Sequence, residues 1–326
     1  MITDSFGRVH NYLRISLTDN CNLRCFYCMP DEQYSFAPAS KLMQPNEIET
    51  LAKIFVAQGV NKIRLTGGEP LVRKDAPSII ERLTELNIKL AITTNGIRIN
   101  EMLPQIIAAN FSQINISLDT LQAEKFRTIT HRDQFERVRS NIDLLLTNNI
   151  VPKINVVIMK DLNDNEIHDF IEWTKDTPIQ VRFIEFMPFS GNRWTSNQVY
   201  TLHDILTEVS RKYQFMPVPG EKNDTAKHYQ PEGHKGSFAV ISTMSEPFCD
   251  TCNRMRLTAD GKLKNCLFSR EETDLLTPLR QGQEVLPLIL DTIGKKAKEL
   301  GGQFSGAFDH LDPSDIENRS MITIGG

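Results

Sequence analysis

Cys21, Cys25 and Cys28 stand near the start of the 326-residue chain in the run Cys-Asn-Leu-Arg-Cys-Phe-Tyr-Cys. Three thiolates on so short a loop can hold three corners of a cubane 4Fe-4S cluster and leave the fourth iron without a protein ligand, open to chemistry. Structural zinc wants four donors and no vacant position, and it is the plain alternative. A second triplet, Cys249-Asp-Thr-Cys252 and then Cys266 after thirteen residues, repeats the arrangement. A zinc ribbon would need a second close pair here, which the cysteines do not supply, although His228 and His234 are near enough in sequence to complete a zinc site. A second cluster held by Cys249, Cys252 and Cys266 is the expectation.

Such groups need a scaffold. From Tyr12 to about Met187, short runs rich in Ile, Val and Leu alternate with stretches of helical period, the pattern of successive βα units on a parallel sheet. Strands are expected at Leu13 to Leu17, Lys62 to Thr66, Leu90 to Thr93, Gln113 to Leu118, Lys153 to Met159 and Gln180 to Phe186. Pro45 and Glu47 open a helix whose Ile48, Leu51 and Phe55 share one face, and Gly59 ends it. Further helices are expected over Ala76 to Leu86, Glu101 to Ala109, Phe135 to Thr147 and Asn165 to Thr174. Periodicity does not choose between an open doubly wound sheet and a partly closed barrel. Both bind ligands at the C-terminal edge of the strands.

That edge collects polar residues. The first triplet follows the first strand, Thr66-Gly67-Gly68-Glu69-Pro70 the second, Thr93-Thr94-Asn95-Gly96 the third and Ser117-Leu118-Asp119 the fourth. Each reads equally as a turn or a cap when taken alone. Together they form a mouth where two glycines allow close backbone approach and Glu69 can accept from an ammonium group. Arg14, Lys62, Arg64, Lys153 and Arg182 lie on or beside the strands. Any one of them reads as a solvated strand end, but five suit the oxygens of a phosphate chain. Neither a P-loop nor a G-x-G-x-x-G fingerprint occurs, so phosphates would need this other cradle.

A formal net charge of -4 gives no general attraction to nucleic acid. No apolar run approaches the ~18 residues of a membrane span, and the N-terminus lacks a secretory pattern. Cysteines in two local triplets suit a reducing compartment, so a cytoplasmic protein is expected.

Residues 18 to 30, with Tyr27 before the last cysteine, resemble the cluster loop of the radical S-adenosylmethionine superfamily. The second triplet with Asn253-Arg254-Met255-Arg256 attached, together with the terminal Gly325-Gly326, resembles the GTP 3′,8-cyclase family of molybdenum cofactor biosynthesis, over a match that begins at Phe6-Gly-Arg. The resemblance implies an α/β fold: a partial (β/α)6 barrel of TIM type over residues 1–213, and a C-terminal domain over 214–326 carrying the second iron–sulfur cluster. It implies two 4Fe-4S clusters and S-adenosylmethionine as cofactors, the latter contacted by Tyr27, Gly68, Glu69, Ser117 and Met187. It implies GTP held between the clusters by Arg14, Lys62, Arg64, Thr93, Lys153, Arg182, Arg254, Met255 and Arg256, its guanine near the open iron of the second. Arg254, Arg256, Gly325 and Gly326 form the implied catalytic set.

The implied reaction is a radical lyase step. A deoxyadenosyl radical takes hydrogen from ribose C3′, the carbon radical attacks guanine C8, and (8S)-3′,8-cyclo-7,8-dihydroguanosine 5′-triphosphate results. The resemblance also implies a homodimer, a flavodoxin-like or chemical electron donor, and delivery of product to cyclic pyranopterin monophosphate synthase. Two rivals stay open: another radical S-adenosylmethionine enzyme with an auxiliary cluster, such as a peptide maturase, and a non-enzymatic zinc-ribbon binding protein.

Overall fold

The computed structural model describes residues 1–29, 34–304 and 308–325. Its strands are β1 (Tyr12–Ser16), β2 (Lys62–Thr66), β3 (Lys89–Thr94), β4 (Gln113–Ser117), β5 (Lys153–Ile158), β6 (Gln180–Glu185), β7 (Phe215–Val218), β8 (Lys227–Pro231), β9 (Ser237–Ile241), β10 (Arg254–Leu257), β11 (Lys262–Lys264) and β12 (Thr273–Asp274). The helices are α1 (Pro45–Ala57), α2 (Ala76–Thr84), α3 (Ile99–Ala109), α4 (Ala123–Thr130), α5 (Phe135–Thr147), α6 (Ile167–Asp176), α7 (Leu202–Ser210), α8 (Leu276–Arg280), α9 (Leu286–Gly294) and α10 (Met321–Ile324). No helix among the described residues is long and apolar enough to cross a membrane.

The six expected strands are present, each within a residue of its expected ends. α1 starts as anticipated. Pro45 sits in its first turn, and the Glu47 carboxylate accepts from the Gln44 N–H at 2.7 Å while Ile48, Leu51 and Phe55 are buried against the sheet. α4 was not anticipated, because only Phe126 and Ile129 supply apolar burial in a segment otherwise made of charged residues, Ala and Thr.

The sheet continues beyond these six strands. It has 12, in the order β12-β11-β10-β1-β2-β3-β4-β5-β6-β9-β8-β7. β10 joins β1 and β9 joins β6, both in parallel, so the C-terminal part extends the sheet on both sides. The sheet is also strongly curled. On a flat sheet, neighbours ~4.8 Å apart would put β1 and β6 ~24 Å from each other. Yet Arg14 of β1 and Arg182 of β6 line one cavity and repel each other. The strand order ends at β12 and β7 rather than closing, so the barrel is partial. A continuous apolar layer, including Leu13, Ile63, Ile92, Ile116 and Ile154, packs beneath the helices and leaves the inner face to polar side chains.

Candidate active site

Strand register builds the inner wall. Arg256, Arg14 and Arg64 stand side by side across β10, β1 and β2, and two residues earlier Arg254, Tyr12 and Lys62 form a parallel row. Residues two apart share a face, so both rows point inward. Across the cavity, Asn115 pairs with Lys153 and Asn155 with Arg182. These residues enclose a space of about 730 Å³ that reaches Cys249, Cys252 and Cys266.

The wall is cationic, and its bonds go largely to neutral groups. Arg64 donates to the Tyr12 phenol at 2.6 Å, the Ile92 carbonyl at 2.8 Å and Gln113 at 2.7 Å, and Arg182 donates to Asn155 Oδ1. Burial, reinforced by neighbouring cations, pulls Arg182 down to about 9 and Lys153 to about 8. Burial, with Arg14 and Arg254 alongside, holds Arg256 well below the usual arginine range. Tyr12 moves the other way. Burial alone would raise its phenol, but the charges of Arg64, Arg14 and Lys62 outweigh that and bring it to about 7. Arg14 Nε and Asn115 Oδ1 are buried with no hydrogen-bond partner. A ligand with several anionic oxygens would answer the charge and the Arg14 Nε donor, while the Asn115 carbonyl oxygen calls for a ligand N–H or O–H.

Sulfur meets this wall at the second triplet. Lys296 Nζ lies 3.4 Å and Arg254 Nη2 3.6 Å from Cys252 Sγ, and the Leu300 N–H donates to Cys249 Sγ at 3.4 Å. Burial would raise the Cys252 thiol, but Arg254 and Lys296 overcome it and bring it to about 6. The first triplet has the opposite surroundings. Burial, with Glu69 adding to it, pushes Cys21 up to about 11, and burial with Asp119 nearby holds Cys25 and Cys28 well above the usual thiol range.

Both triplets fit a cluster better than a single ion. All six cysteines are free of disulfides. Among the described residues, no three His, Cys, Asp or Glu side chains gather to hold one metal ion, and thiolates around four irons stand wider apart than around one. The histidines proposed for zinc are engaged elsewhere: His228 with Asp224 at 3.0 Å and His234 with Thr174 at 2.9 Å.

The other expected residues divide by position. The close approach at Gly67 and Gly68 is to the cysteine loop, since an added Cβ would come 2.5 Å from the Thr18 carbonyl at Gly67 and 2.4 Å from the Asn20 carbonyl at Gly68. Glu69 is buried and spends its oxygens on Leu71 N–H, Thr94 Oγ1 and Asn95 N–H. A carboxylate accepts about four bonds, so one position remains for an ammonium group. Tyr27 donates to Asp119 at 2.6 Å, Ser117 ends β4, and Met187 lines the cavity. Thr93 is paired with Asn115 across β3 and β4 and accepts from Arg64 at 3.4 Å.

Met255 corrects the expectation. Strand alternation turns its side chain away from Arg254 and Arg256 into the apolar core, leaving only its backbone to meet a ligand. Gly325 reaches the site: Arg256 donates to its carbonyl, and a Cβ there would lie 2.6 Å from Thr66 Oγ1. Gly326 lies outside the described residues.

Sequence reasoning missed Tyr12, Asn155 and Lys296. The first two could have been found, since each sits two residues from an expected basic or polar wall position on the same strand or pairs with one across the sheet.

The Radical SAM superfamily model matches residues 15–174 and the Molybdenum Cofactor Synthesis C model residues 179–301. GTP 3′,8-cyclase of Thermodesulfovibrio yellowstonii is 39% identical over 99% of both chains. The mitochondrial GTP 3′,8-cyclase of Arabidopsis thaliana is 46% identical over 100% of this chain and 84% of its own. The chain belongs to the GTP 3′,8-cyclase family. Human molybdenum cofactor biosynthesis protein 1 is also 44% identical over 99% of this chain, but the match spans only 51% of the human protein. The chain thus covers about half the length of such animal relatives. Within the family fold, Streptococcus suis SuiB bound to S-adenosylmethionine superposes with a TM-score of 0.63 at 14% identity, covering 97% of this chain and 74% of SuiB. At that identity the likeness concerns the fold alone.

Proposed function

We propose that this chain is a radical S-adenosylmethionine GTP 3′,8-cyclase, a lyase that converts GTP to (8S)-3′,8-cyclo-7,8-dihydroguanosine 5′-triphosphate in molybdenum cofactor synthesis. The observation that carries this reading is one cavity in which seven buried or half-buried basic residues, Arg14, Lys62, Arg64, Lys153, Arg182, Arg254 and Arg256, outnumber the Glu221 and Asp224 carboxylates on its wall and meet three free thiols. Residues 1–213 form the barrel half and residues 214–326 the half that brings the second triplet. Cys21, Cys25 and Cys28 would hold one 4Fe-4S cluster and Cys249, Cys252 and Cys266 another. When bound at the first triplet, cluster and S-adenosylmethionine supply the 5′-deoxyadenosyl radical that takes hydrogen from ribose C3′.

The rest of the work falls to the chain's own residues. Lys62, Lys153, Arg64 and Arg182 take the triphosphate, with guanidinium forks matched to phosphate oxygens. Arg14, Arg254 and Arg256 hold the nucleoside end, facing C3′ and C8 to each other so that ring closure has the proximity of an intramolecular step. Arg256 also binds the Gly325 carbonyl, so the tail and the substrate share one anchor. Glu69 and Asn95 keep the first cysteine loop in register, Asn95 reaching Asn22 at 2.7 Å and Cys21 Sγ at 3.8 Å. Tyr27, Ser117 and Met187 would contact S-adenosylmethionine. Buried Phe189, Phe268 and Ile324 pack into an apolar patch beside the second triplet and keep water from a radical path. A cytoplasmic homodimer served by a flavodoxin-like donor, passing product to cyclic pyranopterin monophosphate synthase, completes the proposal.

The test is anaerobic incubation of the reconstituted chain with GTP, S-adenosylmethionine and reductant. The reading expects 5′-deoxyadenosine and a cyclised nucleotide in equal amounts. Deoxyadenosine formed without any GTP-dependent product, with a peptide substrate still to find, would favour the maturase rival.

A further inference from the structure

Lys296 follows α9 and is buried, only 3% exposed. Its neighbour Lys295 points outward and pairs with Asp291 at 2.6 Å, the ordinary fate of a lysine at a helix end. Lys296 finds no such acid among the described residues. Its ammonium donates to the Arg254 carbonyl at 3.0 Å and to Cys252 Sγ at 3.4 Å. Asp4, the acid of the adjoining N-terminal segment, is already taken by Arg8 at 2.6 Å and His10 at 3.1 Å. A buried ammonium without a counter-ion is costly, so the charge that balances Lys296 is the sulfur's.

The placement is also braced. Arg8 donates to the Cys249 carbonyl at 2.8 Å, the Ala297 carbonyl at 2.8 Å and the Lys298 carbonyl at 2.6 Å. One guanidinium therefore staples the segment just after Lys296 to the loop that carries Cys249, and Asp4 fixes the guanidinium. The lysine has little freedom to leave the sulfur.

We propose that Lys296 is a positioning residue of the second triplet, whose ammonium-to-sulfur hydrogen bond at Cys252 raises the reduction potential of the cluster held there. The inference rests on the reading that this triplet binds a 4Fe-4S cluster. Hydrogen bonds to cluster sulfurs and local positive charge both favour the reduced, more negative state. Among the described residues the donors to first-triplet sulfur are the neutral Leu23 N–H and Asn95 amide, so the two clusters of one chain would differ in potential for a stated reason.

The experiment uses the full chain, reconstituted without oxygen, with Cys21, Cys25 and Cys28 changed to Ala so that only the second cluster contributes. Iron and sulfide are counted first, and the cluster is then titrated with reductant while its electron paramagnetic resonance is followed. Lys296→Met is expected to keep its iron and, at fixed solution potential, to lower the reduced-to-oxidised ratio on the order of tenfold, ~59 mV for one electron. Lys296→Arg, which keeps the charge, is expected to recover most of that shift. A full cluster in Lys296→Met with an unchanged potential overturns the proposal. If the methionine variant loses iron, the arginine variant decides: recovery of both iron and potential supports a charge role, and recovery of iron at a shifted potential overturns it. A parent chain with no second cluster overturns the underlying reading instead, and the iron count reveals that before any potential is measured.

Discussion

The two cysteine triplets are alike in chemistry and part company at one corner: burial raises Cys249 as it raises the first three thiols, but Cys252 goes the other way. Around Cys21, Cys25 and Cys28 lie apolar packing and the buried carboxylates of Glu69 and Asp119, which make thiolates harder to form. Around Cys252 lie Arg254 and Lys296, which make a thiolate easier to form. The difference follows from where each loop leaves the sheet. The first follows β1 onto a rim that carries Glu69 and Asp119, whereas the second precedes β10, whose inward residues are Arg254, level with Tyr12 and Lys62, and Arg256, level with Arg14 and Arg64. Negative surroundings suit a site that takes the cationic S-adenosylmethionine, and positive surroundings one that takes a nucleoside triphosphate. Under the proposed function, the neighbours would give the same three-thiol motif two tasks.

The strongest way to break the comparison is to remove one thiolate from each side. Cys25→Ala should abolish both S-adenosylmethionine cleavage and cyclisation, whereas Cys249→Ala should abolish only cyclisation and leave uncoupled 5′-deoxyadenosine formation measurable by chromatography. Loss of cleavage in both variants would mean that the triplets do not divide the work. Next comes the wall itself. Arg256→Met removes a buried, charge-assisted contact and should weaken GTP binding ~30-fold or more by calorimetry, the scale of losing 2–5 kcal/mol at a desolvated charge, with iron content unchanged. Deleting Gly325 and Gly326 should stop cyclisation yet spare that binding more than Arg256→Met does, because the arginine remains.

Lys153 sharpens the electrostatic side. Its ammonium titrates near 8 in the free chain, and a bound polyanion would favour the charged form. Lys153 should therefore contribute a fall in GTP affinity of up to ~10-fold per unit as pH rises above 8, a component that Lys153→Arg removes while the contributions of Tyr12 at about 7 and Arg182 at about 9 remain. In the ligand-free chain the same depressed value means that the unfolded state holds more protons above pH 8, so this residue's share of stability rises with pH there. The smallest effect belongs to Met255→Leu, a volume-conserving core swap expected to cost under ~1.5 kcal/mol in denaturant melts and to leave GTP affinity unchanged.

Much of this was legible in the chain because local pattern carries it. The βα alternation located all six central strands. The extension of the sheet beyond β1 and β6 was not legible. Nothing near residue 254 announces that β10 pairs with β1 more than two hundred residues earlier, because partner choice is set by tertiary packing and not by local propensity. Met255 was misplaced for a simpler reason: Arg-Met-Arg alternates, and alternation alone sends the middle side chain to the opposite face. Tyr12 was missed although it sits two residues before Arg14. Lys296 left no trace, since a lysine after a helix ordinarily looks like solvated charge.

The most direct measurement of the central claim is electron paramagnetic resonance of the reduced, anaerobically reconstituted chain with and without GTP. The account predicts two cluster signals, of which GTP perturbs only the one that disappears in Cys252→Ala and S-adenosylmethionine only the one that disappears in Cys25→Ala. A GTP effect on the first signal alone, or on neither, would contradict it.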